Sequence, residues 1–401
     1  RTIMGSKMVK MHLTQIPSER IYLKLNKKVI RLITTLVKKT NLVLSQEITE
    51  QLYRFKIGKK VSIHFIKKIS RMLEIGNKFI EDNTDLITSC KSTNVGIKKP
   101  RFPFDFTNKN GVRLISAIMG DGEINSQIMV RYNNQKKVLI DGILNCFKEV
   151  FGDVDYKLYL RDDQTYQLVF PKIVGLVLLK VGLKEGYKSI TNYSIPYFIF
   201  NLDIDKKGIF IKQFFTDEGN VRLKDRRLQV KQTLKIDSTK KTLRLEPEEY
   251  APNSLKGIKR LLLDLEITSK ISLGAYRENE KKADWELSIY GKENLVKFQE
   301  KIGFYLEYKN KLLENAIKSY KFPSAPRNGR IEFALEKFKI VQTKYGFVTK
   351  YLLSEESRRS IKTAIYFLID LKKKGFINEI ERPRDKKGHP KARKYSLNNN
   401  L

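Results

Sequence analysis

The sequence predicts an α+β fold made of two pseudo-symmetric halves, each an antiparallel sheet with helices, flanked by smaller regions at both ends. Three observations predict it. One short pattern occurs twice, each copy leads into strand-like alternation interleaved with helical stretches, and both ends of the chain show helical periodicity rich in lysine and arginine. With 401 residues the chain has room for roughly two to four domains.

Residues 1–98 are expected to form a helical domain. Apolar residues recur at three- and four-residue spacing in "IYLKLNKKVIRLITTLVKK", "SQEITEQLYRF" and "SIHFIKKISRMLEIG", with Ser45 and Ser62 as candidate N-caps. Two short helices joined by a Gly-containing turn, the second basic, have the order of a helix-turn-helix, and a plain helical bundle is the alternative. The linker "STNVGIKKPRFPF" follows, its prolines at 100 and 103 barring helix.

Residues 105–205 and 206–322 are the two halves. "LISAIMGDG" and "IKQFFTDEG" share one grammar: a helical run, an acid, then glycine. Aligned, they set Asp121 against Glu218, an offset of 97 (218 − 121). The ends match too, "LLKVGLKEGYK" at 178–188 against "FQEKIGFYLEYK" at 298–309, an offset of 121, so the second half is longer inside by 24 residues (121 − 97). Strands are expected at "QIMVRY", "YKLYLRDD", "TYQLVF", "RLQVKQTLKI", "KTLRLE", "ISLGAYRE" and "DWELSIY", and helices at "KVLIDGILNCFKEVFG" and "NSLKGIKRLLLDLEI". Gly122 and Gly219 are expected in the left-handed conformation that ends a helix. Ser116 and Gly120, small and four apart, would let the opposite helix come close.

Residues 328–401 change pattern again. "IEFALEKFKIVQTKYG", "FVTKYLLSEES" and "SRRSIKTAIYFLIDLKKKG" read as helices, the last capped by Ser357 or Ser360. A strand "FINEIER", a basic hairpin "PRDKKGHPKAR" and a strand "KYSL" follow, which is the order of a winged helix. Arg384, Lys386, Lys387 and Arg393 stand where a wing would meet phosphates, although a charge run is also an ordinary solvated face.

Charge narrows the partners. With 79 basic against 44 acidic residues the net charge is +35, and self-repulsion of that size is costly unless a polyanion is the working partner. Double-stranded DNA leads, with structured RNA as the alternative. Two cysteines and three histidines without a CxxC exclude a disulfide framework and argue against zinc, which points to a reducing, cytoplasmic and nucleoid-associated setting. The longest apolar run is broken by Lys180 and no membrane span is expected. A chain beginning with Arg1 is expected to be a fragment or to carry added residues, and without a starting nucleophile or a His-Asn end it does not read as an intein.

An acid at a helix C-terminus sits in an unfavourable field unless a cation meets it. Phosphodiester cleavage supplies that need, because Mg²⁺ (or Mn²⁺) prefers hard carboxylates and polarises the phosphate. Two such acids at the ends of paired helices would each serve one strand.

With these residues the chain resembles the LAGLIDADG homing endonucleases of the single-chain, two-repeat type, over about residues 105–320. The resemblance implies two αββαββα repeats, each presenting a saddle-shaped sheet to the major groove, with the motif helices between them. It implies metal-binding acids at Asp121 and Glu218, with the carbonyls of Gly120 and Asp217 as secondary ligands, and cleavage of both strands of a long site by a monomer. Gln213 and Asp217 depart from the small residues usual at the helix crossing. Family members also place basic residues near the metals, and Lys180 and Lys282 are only guesses at them. A fold of this kind joined to a helix-turn-helix also resembles a bacterial regulator family that binds DNA without cutting it, and an RNA maturase would use the same basic saddle.

Candidates for base reading alternate along "QIMVRYNNQ" and "VRLKDRRLQVKQ": Gln127, Arg131, Asn133, Arg222, Lys224, Arg226, Gln229 and Lys231. Tyr132, Tyr159, Tyr166, Tyr276 and Trp285 could stack on unpaired bases, or be buried as strand aromatics usually are.

Overall fold

The computed structural model describes residues 9–40, 44–320, 329–383 and 392–398. They form two compact units, one of residues 1–290 with 294–314 and a smaller one of 291–293 with 315–401. No helix among the described residues is long and apolar enough to cross a membrane.

The larger unit begins with mixed structure rather than helices alone. Strand β1 (Tyr22–Leu25) precedes α1 (Lys27–Lys39), so the helical reading of residues 21–25 is corrected. Asn26 decides it: its side chain accepts from the N–H groups of Lys28 and Val29, starting the helix there, and its amide donates to Asn83 at 2.7 Å. Helix α2 (Gln46–Lys56) and α3 (Ile63–Met72) follow, with β2 (Val61–Ser62) between them. Ser62 caps α3 by accepting from Phe65 N–H at 3.1 Å, whereas the Ser45 side chain makes no capping bond. Strands β3 (Thr84–Thr88) and β4 (Ile97–Lys98) complete a sheet of order β2-β1-β3-β4 that continues into the next part of the chain.

The first half runs α4 (Lys109–Met119), β5 (Gly122–Ile124), β6 (Val130–Asn134), α5 (Lys137–Phe151), β7 (Asp153–Val154), β8 (Lys157–Leu160), β9 (Tyr166–Phe170) and α6 (Lys172–Val181). The second runs α7 (Ile204–Glu218), β10 (Gly219–Arg222), β11 (Arg227–Lys235), α8 (Asn253–Asp264), β12 (Ser269–Arg277), β13 (Lys282–Tyr290) and α9 (Lys292–Lys301). Each builds a four-stranded antiparallel sheet, of order β8-β9-β6-β5 and β10-β11-β13-β12. This is the α+β architecture that the repeat predicts.

The alternation is cleanest in the second sheet. Leu228, Val230 and Leu234 of β11 and Ala283, Trp285, Leu287 and Ile289 of β13 are buried, while Arg227, Gln229, Lys231 and Thr233 lie opposite Tyr290, Ser288, Glu286 and Asp284 on the other face. Tyr132 and Trp285 are fully buried and so serve the core. The Tyr276 hydroxyl donates to the Ser238 carbonyl, and among these aromatics Tyr159 keeps a half-exposed ring.

"KTLRLE" is helix, not strand. Thr239 caps residues Lys240–Leu245 by accepting from Thr242 N–H, and Leu243 alone turns inward. Its period-two pattern, too short to discriminate, loses to the cap. This helix lies in the 17 residues (236–252) between β11 and α8, where the first half uses two (135–136), which is where most of the extra length goes.

Helices α4 and α7 pack side by side between the sheets and are buried almost all round. Ser116 donates to the Phe210 carbonyl at 2.6 Å. Neither Gly122 nor Gly219 is left-handed: both begin strands, and the expectation is corrected. They are glycines because a Cβ on Gly122 would lie 2.5 Å from the Ile118 Cα, and one on Gly219 would strike the Phe215 carbonyl.

The smaller unit has helices α10 (Arg330–Tyr345), α11 (Lys350–Glu356) and α12 (Ile361–Lys373), then strands β14 (Ile377–Glu381) and β15 (Lys394–Leu397), with a bridge from Val348 to Tyr395. Ser360 caps α12, accepting from Thr363 N–H at 3.1 Å, while Ser357 ends the preceding helix. Phe338, Val341, Leu353, Phe367 and Leu371 form its core.

In the second half Phe215 joins the motif helix to α9 through Phe298, ring centroids 4.9 Å apart, both rings fully buried. Phe215→Ala is expected to cost about 3–5 kcal/mol through lost burial and the cavity left behind. A urea titration should show a lower midpoint with an unchanged slope.

Candidate metal and nucleic-acid site

Helix α4 ends at Met119 and α7 at Glu218, so Asp121 and Glu218 emerge from neighbouring helix ends between the two sheets. Asn134 on β6 donates to Asp121 Oδ2 at 2.7 Å, and Asn133 N–H donates to the Asp121 carbonyl at 3.2 Å. Burial raises both carboxyl groups above the usual carboxylate range, and each adds its repulsion or feels that of the other. Two ammonium groups pull them back, Lys188 first and Lys309 second.

Those lysines are the functional residues that sequence reasoning missed. Lys188 Nζ donates to the Gly120 carbonyl, and Lys309 Nζ to the carbonyls of Thr216 and Gly219, both at 2.7 Å. Each thus neutralises the partial negative charge of one motif-helix terminus. Burial lowers both ammonium groups below the ordinary lysine value and the acids oppose it. The signal was present: Lys188 and Lys309 are the final residues of the two matching tails, "EGYK" and "LEYK", at the offset of 121. The guesses fall elsewhere, with Lys282 paired to Glu280 and Lys180 exposed on α6.

Asp217, expected to be awkward at the crossing, is built into a polar chain across it. Arg113 Nε donates to Gln213 Oε1 at 2.8 Å, and Gln213 Nε2 and the Tyr132 hydroxyl both donate to Asp217 Oδ1 at 2.9 Å. The Arg113 guanidinium also lies 3.8 Å from the Tyr305 ring centre. Asp217 Oδ2 is sealed from solvent without a partner among the described residues, and a Cβ on Gly120 would come within 2.6 Å of it. The small residue that the crossing needs is therefore Gly120, on the opposite helix. Burial and the nearby Asp121 hold the Asp217 carboxyl well above the usual range.

The donor set suits a hard divalent cation, since two partly buried carboxylates repel each other and stand among main-chain carbonyls. Among the described residues no group of three or more His, Cys, Asp or Glu side chains is placed to hold a metal ion, so a cation here would complete its shell with water or phosphate. The Gly120 carbonyl, a secondary ligand in the sequence reading, holds the Lys188 ammonium.

The base-reading candidates divide. Gln127, Lys224 and Arg226 are exposed in strand-connecting turns. Arg131 bonds Glu123 at 3.3 Å, Asn133 accepts from Gln167 at 2.8 Å, Arg222 pairs with Asp225 and Lys231 with Glu286 at 2.9 Å, all on the polar faces of the sheets. Gln229 shares a concave pocket of about 470 Å³ with Glu218, Asn220, Arg222 and Lys231, but it is nearly buried and its Oε1 lacks a partner among the described residues. Arg393 reaches Glu379 at 3.5 Å, while Arg384, Lys386 and Lys387 lie outside the described residues.

Comparison with known proteins bears chiefly on the second half. Residues 205–303, the second half, match the LAGLIDADG-like domain family. This chain contains a LAGLIDADG-like domain. Over 200 residues, 46% of this chain and 16% of the relative, it is 30% identical to a probable translation initiation factor IF-2 of Methanocaldococcus jannaschii. Over 210 residues it is 23% identical to the glutamine–fructose-6-phosphate aminotransferase of the same organism, covering 52% of this chain and 18% of that one. The chain thus spans less than a fifth of either curated relative. Similar solved structures include the homing endonuclease I-DmoI (TM-score 0.34, 18% identity, 52% of this chain and 99% of that one). They also include full-length DUF199/WhiA from Thermatoga maritima (TM-score 0.33, 12% identity, 66% and 91%). I-DmoI has been solved with DNA and Ca. The matched residues 205–303 include Glu218, and Asp121 lies outside them, in the first half.

A carboxyl group whose folded pKa is raised stabilises the fold fully below its unfolded pKa and progressively less as pH rises toward the folded value. Asp217 is such a group. Relative to Asp217→Asn, the wild type should therefore lose stability as pH rises above the ordinary carboxylate range, from about 4 upward, by an amount on the order of 1.4 kcal/mol per pH unit at most. Melting curves of both proteins across that range measure it, and parallel pH profiles would contradict the assignment.

Proposed function

We propose that this chain is a metal-dependent, site-specific DNA endonuclease of the homing type, acting as a monomer on a long duplex site. The observation that carries the reading is the pairing of Asp121 and Glu218 at adjacent helix ends, each with its own lysine, between two sheets whose polar faces carry arginine, lysine, asparagine and glutamine. The net charge of +35 supports a phosphate-rich partner.

In this reading Asp121 and Glu218 hold Mg²⁺ or Mn²⁺, which when bound polarises the phosphate and makes a bound water acidic enough to attack at neutral pH. Lys188 and Lys309 fix the helix termini and offset the charge that gathers there. The Arg113–Gln213–Asp217–Tyr132 chain keeps the two termini at one separation, so that the acids address one phosphate on each strand. Arg131, Asn133, Arg222, Gln229 and Lys231 face the groove, and Gln127, Lys224 and Arg226 reach it from the turns. The smaller unit is taken as a winged helix that adds phosphate contacts. That two curated proteins of unrelated activity share a stretch covering less than a fifth of their length supports a module carried between hosts.

A non-cleaving DNA binder would keep the saddle without needing both acids and both lysines, which favours cutting. Incubating the chain with a randomised duplex library in Mg²⁺ at low salt should give double-strand breaks with short 3′ overhangs. Asp121→Asn and Glu218→Gln should each lower double-strand cleavage by about 10²-fold or more, as expected when a single charge-stabilising group is removed, and leave nicked product. Salt-sensitive binding without cutting in either metal would move the chain to the non-cleaving class, and binding to structured RNA in preference to duplex would favour the maturase reading.

A further inference from the structure

Helix α3 carries a feature that the core site leaves unused. Ile63, Phe65, Ile66, Ile69 and Ser70 turn inward, while His64, Lys68 and Arg71, spaced i, i+4, i+7, form one exposed stripe. Among the described residues these three side chains make no hydrogen bond, ion pair or ring contact. The neighbouring Lys67 is tied down instead, donating to the Ile16 carbonyl at 2.8 Å and to Ser18. The stripe has no acid in it, and the turn before the helix adds exposed Lys59. Two long cationic donors and an imidazole on a capped helix, with no partner among the described residues, match the phosphates and base edges of a major groove.

The attachment of this region to the first half is equally informative. Strand β4 pairs on one side with β3 and on the other with β7, Ile97 opposite Val154 and Lys98 opposite Asp153. Asp155 reinforces the seam by accepting from Gly96 N–H at 2.9 Å and pairing with Lys98 at 2.6 Å. Arg101 adds a main-chain bond to the Phe151 carbonyl and an ion pair with Glu149, each at 3.0 Å. A second strand pair, Lys10–Met11 with Phe104–Asp105, closes the other side. One sheet therefore runs through both parts, so α3 has no hinge about which to swing relative to the first saddle.

We infer that α3 reads duplex DNA through His64, Lys68 and Arg71, on the same duplex as the saddle and beyond the half-site of the first repeat, at a spacing fixed by the shared sheet. This rests on the DNA-binding part of the proposed function and not on cleavage. Because the contact is rigid, it is sensitive to helical phase: moving the flank by half a turn, about 5 base pairs, turns the groove away from α3.

The probe is duplex DNA recovered by the full chain from a random-sequence pool at low salt, footprinted in Ca²⁺. His64→Ala/Lys68→Ala/Arg71→Ala is expected to shorten the footprint at one end only, to weaken binding about 10-fold or more, and to lower the salt slope by about 2. Its melting curve should match wild type, since the three side chains hold nothing in the fold. Inserting 5 base pairs inside that end should bring wild type down to the affinity of the variant, and inserting a full turn should not restore it, because the sheet cannot stretch. An unchanged or symmetrically weakened footprint overturns the inference, as does tolerance of both insertions or a loss seen only with structured RNA or an acidic protein. Absence of cutting by wild type, with one-sided shortening intact, would overturn the endonuclease reading and leave this one standing.

Discussion

The structure turns on the cost of placing carboxyl groups at the C-terminal ends of two helices packed against each other. The helix field and partial burial both oppose the charge, and Asp121 and Glu218 also repel one another. Two devices offset this. Lys188 and Lys309 bring cations to the helix termini, and Asn134 donates to Asp121.

The same cost explains the helix interface. Two helices that must deliver acids to one place have to cross closely, and the crossing is arranged around Gly120, Ser116 and the Asp217 chain rather than around small residues on both sides. The second helix is bulky where the first is small. This asymmetry gives the two halves different surroundings for otherwise equivalent acids: Asp121 has an amide partner in Asn134, while the matching amide of Gln232 is turned to the Tyr193 hydroxyl at 2.7 Å. The sheets are set by the same packing, since β5 and β10 begin within three residues of the helix ends, and strand position and acid position cannot vary independently.

Much of this was legible in the chain. The repeat was visible as "LISAIMGDG" and "IKQFFTDEG", and its matching tails already placed Lys188 over Lys309, although nothing local marked those lysines among so many others. Alternation in "RLQVKQTLKI" and "DWELSIY" gave strands with the correct buried face, because a residue pointing into a sheet core must be apolar. Short segments were less readable. "KTLRLE" alternates like a strand yet folds as a capped helix, and residues 22–25 continue a helical pattern that Asn26 interrupts.

By itself, then, the sequence determined the twofold α+β architecture, the placing of an acid at the end of each motif helix and the strongly basic charge of the chain, since periodicity, repetition and charge are properties of the linear chain. Only the tertiary structure decided which lysines reach the acids, that Gln213 and Asp217 form a bonded chain at the crossing, that Gly122 and Gly219 are needed for close approach rather than for left-handed backbone, and that the N-terminal region shares a sheet with the first repeat. Each of these depends on which distant residues meet: Lys188 lies 68 positions from the carbonyl it holds, and Arg113 lies 100 from Gln213. Such pairings are set by the packing of two helices and two sheets, and no local pattern encodes them.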